Sequence, residues 1–262
     1  MLAWALTLAL FAGASAKSFR IVGGEVTTIE NFPSTVQIEF NTQSGVWDQN
    51  CGGVILTSRY VLSSAFCLRQ MTYDSRTTRI RAGATYRNVG GTIHYIDYVV
   101  IHPTYIITSY HGDIGLAKTI NPFVFSPAVQ RTAIPTQGSV IPDNLPVTQV
   151  GWGRIEYGGA FSEALRYVNV LTMNYELCSE IYRPNMNFPP MSIDWLCTGL
   201  LDVDFKGSCH GDFGGPLYYG NLTIGIIYSL SECDFETENN STYPSLNTNV
   251  AHHTQWIIDN AV

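Results

Sequence analysis

The chain has 262 residues, of which 45% are hydrophobic and 13% charged, and a formal net charge of -7. That apolar content excludes a disordered polypeptide and is enough for a full core. The negative balance argues against nucleic acid or an anionic membrane surface as a partner.

Leu2 to Phe11 is an apolar run too short to span a bilayer, and Ala14-Ser15-Ala16 follows it as a small-residue cleavage site. Residues 1–16 therefore read as a secretory signal, although the first residues lack Lys or Arg. No later stretch is apolar enough to span, so the expected product is secreted and extracellular. Lys17-Ser18-Phe19-Arg20 comes next, directly before Ile21-Val22-Gly23-Gly24.

Tyr, Val, Ile, Thr and Gly are plentiful and long helical periodicity is scarce, which favours an all-β fold. Val36, Ile38 and Phe40 alternate with Gln37 and Glu39, the period of a half-buried strand. Cys51-Gly52-Gly53-Val54-Ile55-Leu56 and Tyr60-Val61-Leu62-Ser63-Ser64-Ala65-Phe66-Cys67 read as strands, the second ending in a loop at Phe66. Between Cys67 and residue 90 there is a single acid, Asp74, so a calcium loop with several carboxylates is not supported. Asp113 lies in Tyr110-His111-Gly112-Asp113-Ile114-Gly115-Leu116. Residues 131–146 carry Pro135, Pro142 and Pro146 and read as a strap between two halves. Gln149-Val150-Gly151-Trp152-Gly153 opens the second half. The Cys178 to Cys197 interval has room for a short helix at most. Leu222 to Ile227 reads as a core strand and Val250 to Ala261 as a terminal helix.

Six cysteines, Cys51, Cys67, Cys178, Cys197, Cys209 and Cys233, imply disulfides in an exported chain, with the connectivity open on sequence grounds. There is no CxxC pair, which makes a zinc site a poor alternative. No metal and no cofactor are expected. Asn221, Asn239 and Asn240 each begin an Asn-x-Ser/Thr acceptor pattern for glycosylation.

The most specific stretch is Gly207-Ser208-Cys209-His210-Gly211-Asp212-Phe213-Gly214-Gly215-Pro216-Leu217. Four glycines and a proline in eleven residues define a tight loop whose backbone N–H groups can face a ligand. It resembles the nucleophile loop of the chymotrypsin/trypsin serine protease family, whose pattern is G-D-S-G-G-P. Phe213 stands where that family carries serine, and Phe66 where it carries the histidine of its A-A-H-C loop. Asp113 matches the third member of the triad. A benzyl group has neither a removable proton nor a basic nitrogen, so the general base and the nucleophile are both missing from these positions.

The resemblance covers Ile21 to Val262 and implies the rest of the expectations. The fold would be all-β: two six-stranded antiparallel barrels, roughly 21–130 and 146–250, with a helix over 250–261. Residues 17–20 would be a short activation propeptide, cut after Arg20 so that the new Ile21 amino group pairs with Asp212. Disulfides would join Cys51–Cys67, Cys178–Cys197 and Cys209–Cys233. Gly211 and Phe213 would be the remnant of the oxyanion hole. Gly207, Tyr228 and Leu230 would line the specificity pocket, and an uncharged Gly207 points to chymotrypsin-like preference. Tyr228-Ser229-Leu230-Ser231-Glu232-Cys233 departs from the family's Ser-Trp-Gly run, which puts substrate docking in doubt. His210 and His111 are the nearest histidines to the altered positions and read as surface residues. From all this, the expected role is that of an inactive, monomeric homologue that binds a protease inhibitor or a protease. The alternatives are a serine endopeptidase with atypical site residues, or an inert secreted structural protein.

Overall fold

The computed structural model describes residues 24–42, 44–69, 75–108, 111–155, 158–183, 191–199, 207–228 and 243–262. A two-residue strand β1 (Glu25–Val26) precedes β2 (Thr35–Asn41), β3 (Trp47–Ile55), β4 (Tyr60–Ser63), β5 (Thr78–Ala82), β6 (Thr92–Ile101) and β7 (Gly115–Thr119). β2 to β7 close into an antiparallel barrel in the order β2-β3-β4-β7-β6-β5. Val36, Ile38, Ile55, Val61, Ile80 and Ala117 point into its core. β-Branched side chains at alternate positions suit a pleated surface with one buried face, and a closed barrel leaves no unpaired edge.

The second half repeats the arrangement with β8 (Pro146–Gly151), β9 (Arg166–Thr172), β10 (Trp195–Gly199), β11 (Pro216–Tyr219), β12 (Leu222–Ile227) and β13 (Ser245–Asn249). Their order is β9-β10-β13-β12-β11-β8, and β8 pairs with β9 to close the ring. β1 lies outside on β9. Val147, Val168, Val170, Leu196, Leu217 and Ile224 fill this core. The two-barrel architecture implied by the family resemblance is therefore what the chain adopts.

Three α-helices stand among the described residues, α1 (Ala65–Leu68), α2 (Tyr175–Tyr182) and α3 (Val250–Asn260), with 3-10 turns at Ile29–Asn31 and Ser75–Thr77. α1 starts at Ser64, whose hydroxyl accepts the Cys67 N–H at 3.1 Å, and the disulfide Cys51–Cys67 ties it to β3. α2 begins three residues before Cys178, and Cys178–Cys197 fastens it to β10. Cys209 is disulfide-bonded, and its expected partner Cys233 lies outside the described residues. α3 buries Val250 and Ile257 against Val54, Leu62 and Leu116 of the first barrel and Ile226 of the second, so it clamps the seam. No described helix is long and apolar enough to cross a membrane.

One expectation changes. The alternation of β2 reads as a strand half exposed to water, but Gln37 and Glu39 are both fully buried. Glu39 takes Arg79 Nε at 2.6 Å and also pairs with Arg81, both from the neighbouring β5. Gln37 donates to the Tyr86 carbonyl at 2.9 Å and accepts the Asn88 N–H at 2.8 Å. Buried polar groups persist only when partnered, and here the partners arrive from some forty to fifty residues away.

Candidate functional site

The site lies at the seam, where the loop before β11 docks onto the first barrel. Gly52 N–H donates to the Phe213 carbonyl at 2.7 Å. A Cβ on Gly52 would lie 2.9 Å from Gly215 Cα, and one on Gly214 would lie 2.2 Å from Ser63 Oγ. Backbone approach this close explains the glycines on both sides of the contact.

The turn is held from within by Asp212, which is buried at 2% exposure. Its Oδ1 accepts the Gly153 N–H at 2.7 Å and its Oδ2 the Cys209 N–H at 2.9 Å. Burial pushes its pKa up to about 6, against the pull of those two N–H groups and of His210. The carboxylate occupies the space that side chains at Gly151 and Gly153 would need. Glycine on both sides of Trp152 is thus required by the buried carboxylate.

Phe66 sits on α1 and Phe213 in the turn; both are half-buried, their ring centroids 5.7 Å apart and tilted by 44°. Behind them Asp113 is buried at 1% exposure. Its Oδ1 accepts the Phe66 N–H at 2.7 Å, and Oδ2 has no hydrogen-bond partner among the described residues. Its carbonyl takes the Thr248 hydroxyl at 2.9 Å, a tie between the barrels. Burial raises the Asp113 pKa to about 7, while the Phe66 and Ala65 N–H groups pull it down. The three positions that the resemblance singles out are thus brought together, with an apolar contact where a proton relay would run.

Gly211 and Phe213 present the second element. Gly211 has φ +98°, a conformation open to glycine. Its carbonyl accepts Gln49 Nε2 at 2.6 Å. The carbonyl of His210 accepts the Arg154 N–H at 2.8 Å, and that of Asp212 the Gly215 N–H at 2.9 Å. A trans peptide aims its N–H opposite to its C=O, and there is no cis bond among the described residues. The Gly211 and Phe213 N–H groups therefore face away from those acceptors, and neither donates to an acceptor among the described residues. Both are therefore backbone donors left over at this turn, at the two positions where the resemblance puts the oxyanion hole.

These groups border a cavity of about 490 Å³ lined by Phe40, Asn50, Phe66, Arg154, Phe161 and Phe213, with the disulfide Cys51–Cys67, His210 and Gly211. Sequence reasoning missed Phe40, Arg154 and Phe161, since no motif or spacing links them. Two guanidiniums lie over the Phe161 ring, Arg87 at 4.1 Å and Arg154 at 4.6 Å from its centroid. His210, expected as an exposed residue at the cleft rim, stands at that rim but is half-buried, 5.9 Å from the Phe213 ring.

Gly207 is buried and Tyr228 packs its ring 4.7 Å from Trp195 in the second barrel; neither lines this cavity. Asn221 is exposed at the turn between β11 and β12, as an acceptor for sugar must be. Arg20, Ile21, Leu230, Cys233, Asn239 and Asn240 lie outside the described residues. No group of three or more metal-binding side chains occurs among the described residues.

Two antiparallel barrels meeting at a cleft, with a glycine-rich donor turn and a buried aspartate behind it, define the class of chymotrypsin-like folds. The family model described as Trypsin matches residues 21–257, and the chain belongs to the trypsin family. Trypsin, alkaline C, of Manduca sexta is 35% identical over 98% of this chain and 97% of its own length. Trypsin CFT-1 of Choristoneura fumiferana is 34% identical with the same coverage. Among solved structures, human heparin binding protein superposes with a TM-score of 0.74 at 22% identity, covering 91% of this chain and 96% of its own, a likeness of fold alone.

This kinship corrects the expectation that the chain is no enzyme. Relatives named trypsins, aligned end to end at 34–35% identity, point to a protease. That expectation rested on two side chains, whereas the turn around them is held by Asp212, and Asp113 braces the Phe66 backbone.

Proposed function

We propose that the chain is an endopeptidase of the trypsin family with atypical residues at two site positions, acting on protein chains at the seam between its barrels. The observation that carries this reading is the pair of outward N–H groups at Gly211 and Phe213, next to the loop that Asp113 braces. Oriented binding and oxyanion stabilisation alone leave a rate about 10³–10⁴ above water when triad members are removed, in the serine proteases from which that figure comes. Phe66 and Phe213 add no nucleophile or base, so this chain's chemical step rests on those two contributions and on water. In this reading Gly207, uncharged, sets the floor of the specificity pocket with Tyr228 and Leu230. Cleavage after Arg20 frees Ile21 to pair with Asp212, and Cys209–Cys233 closes the third bridge. Residues 1–16 direct secretion, and Asn221, Asn239 and Asn240 are sugar acceptors.

A second reading makes binding of a protease inhibitor or a partner protease the main role of the same cleft. One observation favours it: the Phe66–Phe213 contact gives the cleft an apolar centre. Hydrolysis of an activated ester by the processed chain, before and after saturation with a protein inhibitor, tests both. Turnover blocked by inhibitor supports the endopeptidase; inhibitor binding without turnover supports the second reading.

A further inference from the structure

The cavity beside the phenylalanine pair joins apolar walls to polar groups dominated by donors. Phe40, Phe66, Phe161 and Phe213 supply four phenyl surfaces, and no Asp or Glu is among the described residues that line it. The Arg154 guanidinium, half-buried on the face of Phe161, donates to the Gly159 carbonyl and forms no ion pair among the described residues. Arg87, on the same ring, is already paired with Asp48 at 2.8 Å. The Gly211 and Phe213 N–H groups face away from their neighbours' acceptors, and the adjacent Asp212 carboxylate is turned inward onto Gly153 and Cys209.

We propose that this cavity binds a small aromatic carboxylate, its ring among the phenylalanines and its anion between Arg154 and the two backbone donors. The volume is in the range of small-molecule sites, and charge complementarity selects an anionic head over a neutral one. The Gly211 and Phe213 N–H groups, which donate to no acceptor among the described residues, would gain one, whereas a cationic or purely apolar ligand would not supply it. The site shares the Gly211 and Phe213 donors with the peptidase reading, but reversible binding makes and breaks no bond, so the two can fail separately.

Titrating the folded chain with 2-naphthylacetate, followed by ligand fluorescence and calorimetry, tests this. The neutral analogue 2-(2-naphthyl)ethanol serves as the control. The acid should bind saturably and the alcohol at least about tenfold more weakly, as the loss of a charge-assisted contact requires. Arg154→Gln should erase most of that difference, and Phe161→Ala should weaken both ligands. Equal affinity for acid and alcohol, or no saturable binding of the acid to wild type with an intact thermal transition, would overturn the proposal. The wild-type comparison decides even if a variant does not fold.

Discussion

Asp113 and the two phenylalanines carry the clearest chemistry in single residues. The folded pKa of Asp113, about 7, lies above that of an unfolded aspartate, so the native state holds a proton that the unfolded state gives up. Stability from this group is full below about pH 4 and is lost as pH rises toward 7; Asp212 acts in the same direction up to about pH 6. Thermal unfolding of the wild type should weaken across that window, and Asp113→Asn should flatten the slope. A variant with the wild-type slope would show that Asp113 is ionised in the fold throughout. Phe66 and Phe213 should couple by about 0.5–1.5 kcal/mol beyond their buried area. Alanine variants in a double-mutant cycle measure this, and strict additivity would mean that the ring contact carries no energy.

At the scale of elements, the barrels were legible and their polar seams were not. Alternation at Val36, Ile38 and Phe40 identified β2, and the Leu222–Ile227 run identified β12. The same pattern left Glu39 on a wet face, because its partners Arg79 and Arg81 sit on a strand that sequence periodicity cannot place beside it. Glu39→Ala should therefore cost about 3–5 kcal/mol, as removal of one member of a buried ion network does; a loss typical of a surface residue would contradict the burial. The glycine-rich turn was legible because its composition excludes regular structure. Phe161 and Arg154 were not, since they reach the cavity through an isolated bridge to one another and through contact with Gly211. Gly153→Ala should destabilise by about 1–3 kcal/mol, since its methyl would displace the Asp212 carboxylate and the turn with it. Unchanged unfolding would show that the turn is set by other contacts.

For the whole molecule, the site exists only where the two barrels meet. Gly52 to Phe213, Asp113 to Thr248 and the α3 clamp are the ties that hold one half of the cleft against the other. Phe66 and Phe213 depart from the family's pattern while those ties remain, which is why kinship and side-chain chemistry pointed in different directions. The most direct measurement is hydrolysis of an activated ester by the chain cleaved after Arg20, beside the double variant Phe66→His/Phe213→Ser. Wild type should show inhibitor-sensitive turnover on the order of 10³–10⁴ above buffer, and the double variant should be much faster. A wild-type rate equal to buffer, from a folded and cleaved chain, would contradict the endopeptidase reading.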